Sequence, residues 1–193
     1  MVTLLALVLA AEPHLSERLA PTRPSALSLH VVAGFGFGWA PGDTFTLNLG
    51  SRYRRGAFSI GLEVQPMMPG SVAVTYDELA KLGPIRPIAL PPGTIAGQAR
   101  GVGVASLLPV CFERSSLFAC AVAAGGGVLV DTAWQPLLSA GGRVGGEFPE
   151  GSLVRIRASV QLLGGLVRPS AGTFWQASPV QLGLMAGLVS DVF

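Results

Sequence analysis

Residues 27–40 read LSLHVVAGFGFGWA. Leu27, Leu29, Val31, Ala33, Phe35, Phe37 and Trp39 take every odd position. Ser28, His30, Gly34, Gly36 and Gly38 fill most even ones, with Val32 the exception. A two-residue period over that length is the signature of a β-strand, whose successive side chains point to opposite faces. A half-buried strand of a water-soluble sheet keeps its polar groups on the outer face. Here one face is bulky and oily while the other is nearly empty, so the fold turns on which medium each face meets.

Composition narrows the answer. Half of the 193 residues are apolar and only 12% are charged, against about a quarter in an ordinary soluble domain. The mean hydropathy is +0.55. No stretch offers the roughly 20 uninterrupted apolar residues of a membrane helix. The best candidates, 101–112 and 117–130, are broken by Gly, Pro, Cys, Glu or Arg. Twenty-six glycines also disfavour helices, since each costs about 1 kcal/mol relative to Ala. An oily chain without spanning helices is either a β protein with a large core or a membrane barrel. A net charge of +2 without a dense basic stripe gives no footprint for nucleic acid.

The N-terminus favours export. TLLALVLAAEP (3–13) is a short apolar run ending in small residues. It reads as a signal peptide over residues 1–10, with Val8 and Ala10 at the −3 and −1 cleavage positions. No Lys or Arg precedes the run, so the signal reads as truncated. Residues 11–26 read as a loose periplasmic lead-in, leaving 27–193 for one folded unit.

Alternation recurs along that unit. TFTLNLGSRY (44–53) sets Phe45, Leu47, Leu49 and Tyr53 against Thr44, Thr46, Asn48 and Arg52. AFSIGLEVQ (57–65) sets Phe58, Ile60, Leu62 and Val64 against Ser59, Gly61, Glu63 and Gln65. A two-residue loop at Arg54-Arg55 would place Arg52 opposite Ala57, with both polar faces on one side. Residues 66–97, rich in proline, read as a long irregular loop with one helical turn in TYDELAKLG. Strands resume in 99–111 and 117–130, whose faces the pattern leaves undecided. In 134–148, Leu138, Ala140, Val144 and Phe148 oppose Gln135, Ser139, Arg143 and Glu147. In 152–166, Val154, Ile156, Ala158, Val160 and Leu162 oppose Arg155, Arg157, Ser159 and Gln161. The last strand aligns Val180, Leu182, Leu184, Ala186 and Leu188.

Eight strands of about ten residues are long enough to cross hydrocarbon when tilted. Tight turns fall at one end of the chain's path and longer connections at the other. The expected fold is therefore all-β: a closed, eight-stranded, antiparallel up-and-down transmembrane barrel with both termini in the periplasm. Closure is required because an open strand edge in lipid would leave backbone groups unsatisfied. The bulky face, including Trp39 at a headgroup boundary, would meet lipid, and the glycine and polar face would fill the lumen.

The segments LLPVCFERSSLFACAVAAGG, EGSLVRIRASVQLLGGLVRP and WQASPVQLGLMAGLVSDVF resemble the small eight-stranded outer-membrane barrels. Among these they are most similar to an uncharacterised myxobacterial group. The resemblance spans about residues 27–193. It implies an outer-membrane location and a barrel fold, and no reaction. The terminal aromatic Phe193 resembles the signal read by the barrel assembly machinery.

Few residues invite chemistry. With Ser115-Ser116 as a turn, Cys111 and Cys120 oppose one another, and an exported chain favours a disulfide between them. Two free buried thiols are the alternative. The inward charges are Arg52, Glu63, Arg143, Glu147, Arg155 and Arg157. An eight-stranded barrel has room only for side chains, and charges buried there must pair. They read as a structural plug, with Asp191, His30 or water supplying the partners that two glutamates cannot. Arginines crowding the axis would find space beside GFGFG and AAGGGV. Ser28 and His30 share the polar face and are the one weak hint of a lipid hydrolase. No metal, cofactor or catalytic motif is present, so no cofactor and no catalytic or metal-ligating residue is assigned. The expected role is structural or interactional, with outer-membrane lipid as surroundings and the 66–97 loop as the place for a surface partner. A lipid-modifying enzyme, a narrow pore and a soluble lipocalin-like barrel are the alternatives.

Overall fold

The computed structural model describes residues 26–40, 42, 44–77, 91–131, 133–166 and 178–192. Eight strands form one closed antiparallel ring in chain order: β1 (Ala26–Phe37), β2 (Thr44–Arg55), β3 (Phe58–Thr75), β4 (Ile95–Arg114), β5 (Leu117–Val130), β6 (Ala133–Phe148), β7 (Val154–Gly165) and β8 (Val180–Asp191). The ring closes where β1 pairs with β8, from Ser28 opposite Asp191 to Phe37 opposite Leu182. Every strand thus has two neighbours in the ring, and β3 and β4 run on past theirs as a two-stranded extension. The expected signal peptide, most of the lead-in and Phe193 lie outside the described residues.

Parity decides the faces, as the alternation requires. Leu29, Val31, Phe35, Leu49, Phe58, Ile60, Ile156 and Leu188 point outward and are exposed, whereas Ser28, His30, Asn48, Arg52, Glu63 and Arg157 are buried inside. The two undecided strands follow suit. Val102, Val104, Leu108, Val110 and Phe112 of β4 face out, while Ala105, Leu107 and Cys111 face in. In β5, Phe118, Cys120, Val122 and Ala124 line the lumen. A lipocalin-like arrangement, with an apolar interior around a ligand, is the reverse of this distribution.

Three local expectations give way to the structure. The β2–β3 turn is Gly56-Ala57, and Arg52 pairs with Gly61 rather than Ala57. Gly56 has φ +63°, a conformation that costs glycine nothing and arginine a good deal. The slip moves the pairing by an even number, so the faces survive, and it turns Arg54 from a loop residue into a lumen residue. Trp39 is fully buried rather than outward. Gly38, at φ +79°, bends the chain at the end of β1 and breaks the alternation, tucking the indole over the lumen. Both ends of the 66–97 segment are strand rather than loop: β3 runs to Thr75, β4 starts at Ile95, and Val74 pairs with Gly97; residues 78–90, with most of the expected helical turn, lie outside the described residues. A register irregularity between Met67 and Gly70 takes up Pro69, while Pro66 keeps its place opposite Val104.

The glycines do not make room for arginine. A Cβ on Gly34 would meet the Leu184 carbonyl, one on Gly126 the Val104 carbonyl, and one on Gly127 the Trp134 ring. Gly34 and Gly126 let neighbouring backbones approach closely, and Gly127 leaves room for the Trp134 ring.

Candidate functional site

Turning every second residue inward gathers ten ionisable groups from seven strands into the half of the lumen nearest the short turns. They comprise five arginines (Arg52, Arg54, Arg143, Arg155, Arg157), four carboxylates (Glu63, Glu113, Glu147, Asp191) and His30. Each is held on a paired strand, so its position is fixed by backbone register rather than by a mobile loop.

Two bidentate clusters and a fork organise them. Glu63 of β3 accepts from Arg143 of β6 across the lumen, at 2.6 and 2.7 Å. Asn48 Nδ2 donates to the same carboxylate at 3.1 Å, and His30 Nε2 lies 3.1 Å from it. Arg143 is anchored from behind by Gln161, whose carbonyl accepts from Nε at 2.9 Å. Nearer the short-turn end, Glu147 accepts from both terminal nitrogens of Arg52 at 2.7 and 3.1 Å and from Arg155 Nε at 3.0 Å. Arg155 reaches onward to clasp Asp191 at 2.6 and 2.7 Å, and Ser28 donates to that same aspartate at 2.6 Å. Glu113 completes the set, 3.1 Å from Arg52 and 3.5 Å from Arg54, with Ser59 donating to it. Bidentate guanidinium–carboxylate pairs are the strongest way to hold such charges out of water.

Arg157 stands apart. It is 1% exposed, its nearest carboxylate oxygen is 3.8 Å away on Glu147, and its guanidinium lies 4.4 Å above the Phe118 ring. Neither terminal nitrogen has a hydrogen-bond partner. A cation over an aromatic face gains some attraction, but less than a paired one.

All six inward charges named from the sequence are therefore in one lumen. Arg54 and Glu113 were missed because both adjoin tight turns, where a reading by motif assigns loop rather than strand. Asp191 and His30 supply partners, as their side of the strand allows. Ser28 and His30 do not form a nucleophile–base pair: the hydroxyl donates to Asp191 and the imidazole faces Glu63. Cys111 and Cys120 sit directly opposite in the β4–β5 register and are joined in a disulfide on the lumen wall. It links the two arms of a hairpin whose turn is Ser115-Ser116.

Beyond the ionic half, the lumen is neutral. Thr44, Thr46, Gln65, Gln135, Ser139 and Gln181 are buried there with Trp39, Met67, Val128, Leu137 and Leu163. Ser139 donates to Gln181 at 2.9 Å. The small cleft at the short-turn mouth, beside Arg54, Glu113 and Glu147, has a volume of about 10 Å³.

No known family profile matches the chain. No curated protein sequence matches it either. Among solved structures it is similar to Neisserial surface protein A, with a TM-score of 0.51 over 87% of this chain and 97% of that one, at 10% identity. At that identity the likeness concerns the fold: a small closed barrel of the same span.

Proposed function

We propose that the chain is an outer-membrane β-barrel whose lumen is a closed structural plug and whose contacts with the cell's surroundings are made at the long-loop end. The observation that carries this reading is the inverted distribution of charge. Among the described strand residues, the outward face bears charge only at its rims, with Arg55 and Arg114 at the short-turn end and Arg100 at the other. Between Val102 and Phe112, β4 presents only Val, Leu, Phe and one Ser outward. That stretch is about 34 Å long, or about 25 Å when tilted by the roughly 35–45° of membrane barrels, which is the height of their apolar band. Tyr53, Phe58, Phe112 and Phe148 face outward toward one end and Phe35, Phe45 and Trp134 toward the other. Aromatics at both interfaces suit a membrane wall. An apolar surface of this extent would drive aggregation in water.

The plug argues for a structural rather than a conducting role, because the ionic half is cross-braced and the neutral half is packed. Surface contact belongs to the β3–β4 hairpin, which carries the strands past their neighbours and exposes Met68 and Ile95. Within this reading, the Cys111–Cys120 hairpin and the glycine-laden strands support kinship with the myxobacterial barrel group, and Phe193 supports handover to the assembly machinery.

Two measurements test the proposal. The chain folded in outer-membrane vesicles should migrate differently on gels before and after boiling, and fractionation should place it with the outer membrane. Recovery in the soluble periplasm without a heat shift overturns the membrane reading. In planar bilayers no conductance steps above background are expected, and reproducible steps overturn the plug.

A further inference from the structure

The outward wall is not uniformly bulky. Register aligns Val144, Val160, Leu184 and Phe35 in one row across β6, β7, β8 and β1. Two residues along each strand lies a row of small ones, Ala158, Ala186 and Ala33, which ends on β6 at Gly146, where the Phe148 ring folds over the backbone. Beyond that the wall rises again through Phe148, Ile156, Leu188 and Val31. A low row between two high ones is a groove. It is continuous with an open apolar depression of about 900 Å³ that reaches from Phe35 and Ala186 across the wall to Phe112 and Arg114.

One end of this groove carries a charge. On β5 the depression passes over Ala119 beside the exposed Leu117, and on β4 it reaches Arg114, which pairs with Leu117. Arg114 is exposed at the short-turn rim and has no side-chain partner among the described residues. Along the row, five strand spacings of about 4.8 Å separate Arg114 from Ala33, or about 24 Å. Strand tilt makes the row oblique, so it climbs from the rim toward the middle of the wall. One leaflet is about 15 Å deep, and an oblique path of this length can take a whole acyl chain within it.

We propose that this groove is a binding site for one anionic phospholipid, with its phosphate on the Arg114 guanidinium and an acyl chain lying between the two bulky rows. The inference rests on the membrane reading above and adds a ligand class to it. Charge selects the occupant: the outward strand charges at this rim are Arg114 and Arg55, both cationic. A second copy of the chain docked by a two-fold axis would bring a second Arg114 to the same groove, and two convex walls would leave the low row unfilled.

The test uses the full chain folded in detergent, taking only material that shows the heat-dependent gel shift, so that a failure to fold as a membrane barrel is seen before any lipid is added. Native mass spectrometry then follows retention of phosphatidylglycerol and phosphatidylcholine bearing identical acyl chains. The wild type should retain one phosphatidylglycerol at least tenfold over phosphatidylcholine. Arg114→Gln should abolish that preference, and Ala158→Phe, which fills the groove from the exposed side, should reduce retention of both lipids. Arg55→Gln, at the same rim but off the groove, should leave the preference intact. Equal retention of both lipids by the wild type overturns the site. So does an unchanged preference in Arg114→Gln, an equal loss in Arg55→Gln, or a predominant species of twice the chain mass.

Discussion

Toward its short turns the lumen is filled by guanidinium and carboxylate groups, whereas toward its long connections it is filled by amides, hydroxyls, Trp39 and aliphatic side chains. Both halves bury their side chains, but they do so on different terms. A buried ion pair contributes little compared with well-packed apolar groups, because desolvation offsets most of the attraction. Removing one member is another matter, since the survivor keeps the desolvation and loses the partner. The ionic half should therefore be brittle toward single substitutions and tolerant of matched ones. The neutral half should respond in small, local increments.

The largest effect belongs to Glu147. Its carboxylate is the meeting point of Arg52 and Arg155 and the nearest acid to Arg157. Glu147→Leu should cost at least about 3–5 kcal/mol, read as a lowered urea midpoint for the heat-modifiable form in lipid vesicles. A loss below about 1 kcal/mol would mean that the two halves do not differ in kind. Next come Glu63 and Arg143, paired through both oxygens. Glu63→Leu or Arg143→Leu alone should cost more than the two together, with a coupling of about 1–3 kcal/mol. Additive losses in the double-mutant cycle would remove the pairing as the reason for brittleness. In the neutral half, Ser139→Ala deletes the donor to Gln181 and should cost only about 1 kcal/mol. A loss as large as that of Glu147→Leu would erase the contrast.

The sequence shows why this contrast was only half legible. Strict alternation in β2, β3, β6 and β7 places Arg52, Glu63, Arg143, Glu147, Arg155 and Arg157 on one face without any knowledge of register, because a shift by an even number leaves parity intact. The Gly56-Ala57 turn is such a shift. Who pairs with whom depends instead on the stagger of strands around the ring. Arg52 meets Glu147 across 95 positions and Arg143 meets Glu63 across 80, and no local pattern records that. Trp39 was misplaced for the opposite reason: one positive-φ glycine ended the period. The far end of β3 was hidden by Pro66, which pairs regularly with Val104, and by Pro69, which lies at a register irregularity.

Arg157 gives the finest cut, because it sits in the brittle half yet lacks what makes that half brittle. Its guanidinium is buried, its terminal nitrogens have no hydrogen-bond partners, and its nearest acid, 3.8 Å away, is already engaged by two other arginines. Removing this cation strands no carboxylate, since Glu147 keeps Arg52 and Arg155. Methionine fills a similar length of lumen and can pack on the Phe118 ring through its sulfur. Arg157→Met should therefore lie within about 1 kcal/mol of the wild type or above it in stability, whereas Arg52→Met, which breaks a bidentate pair and leaves Glu113 one cation short, should fall well below. If the two substitutions cost the same in vesicle unfolding, then position in the ionic half, rather than the pairing each residue makes, is what sets the penalty.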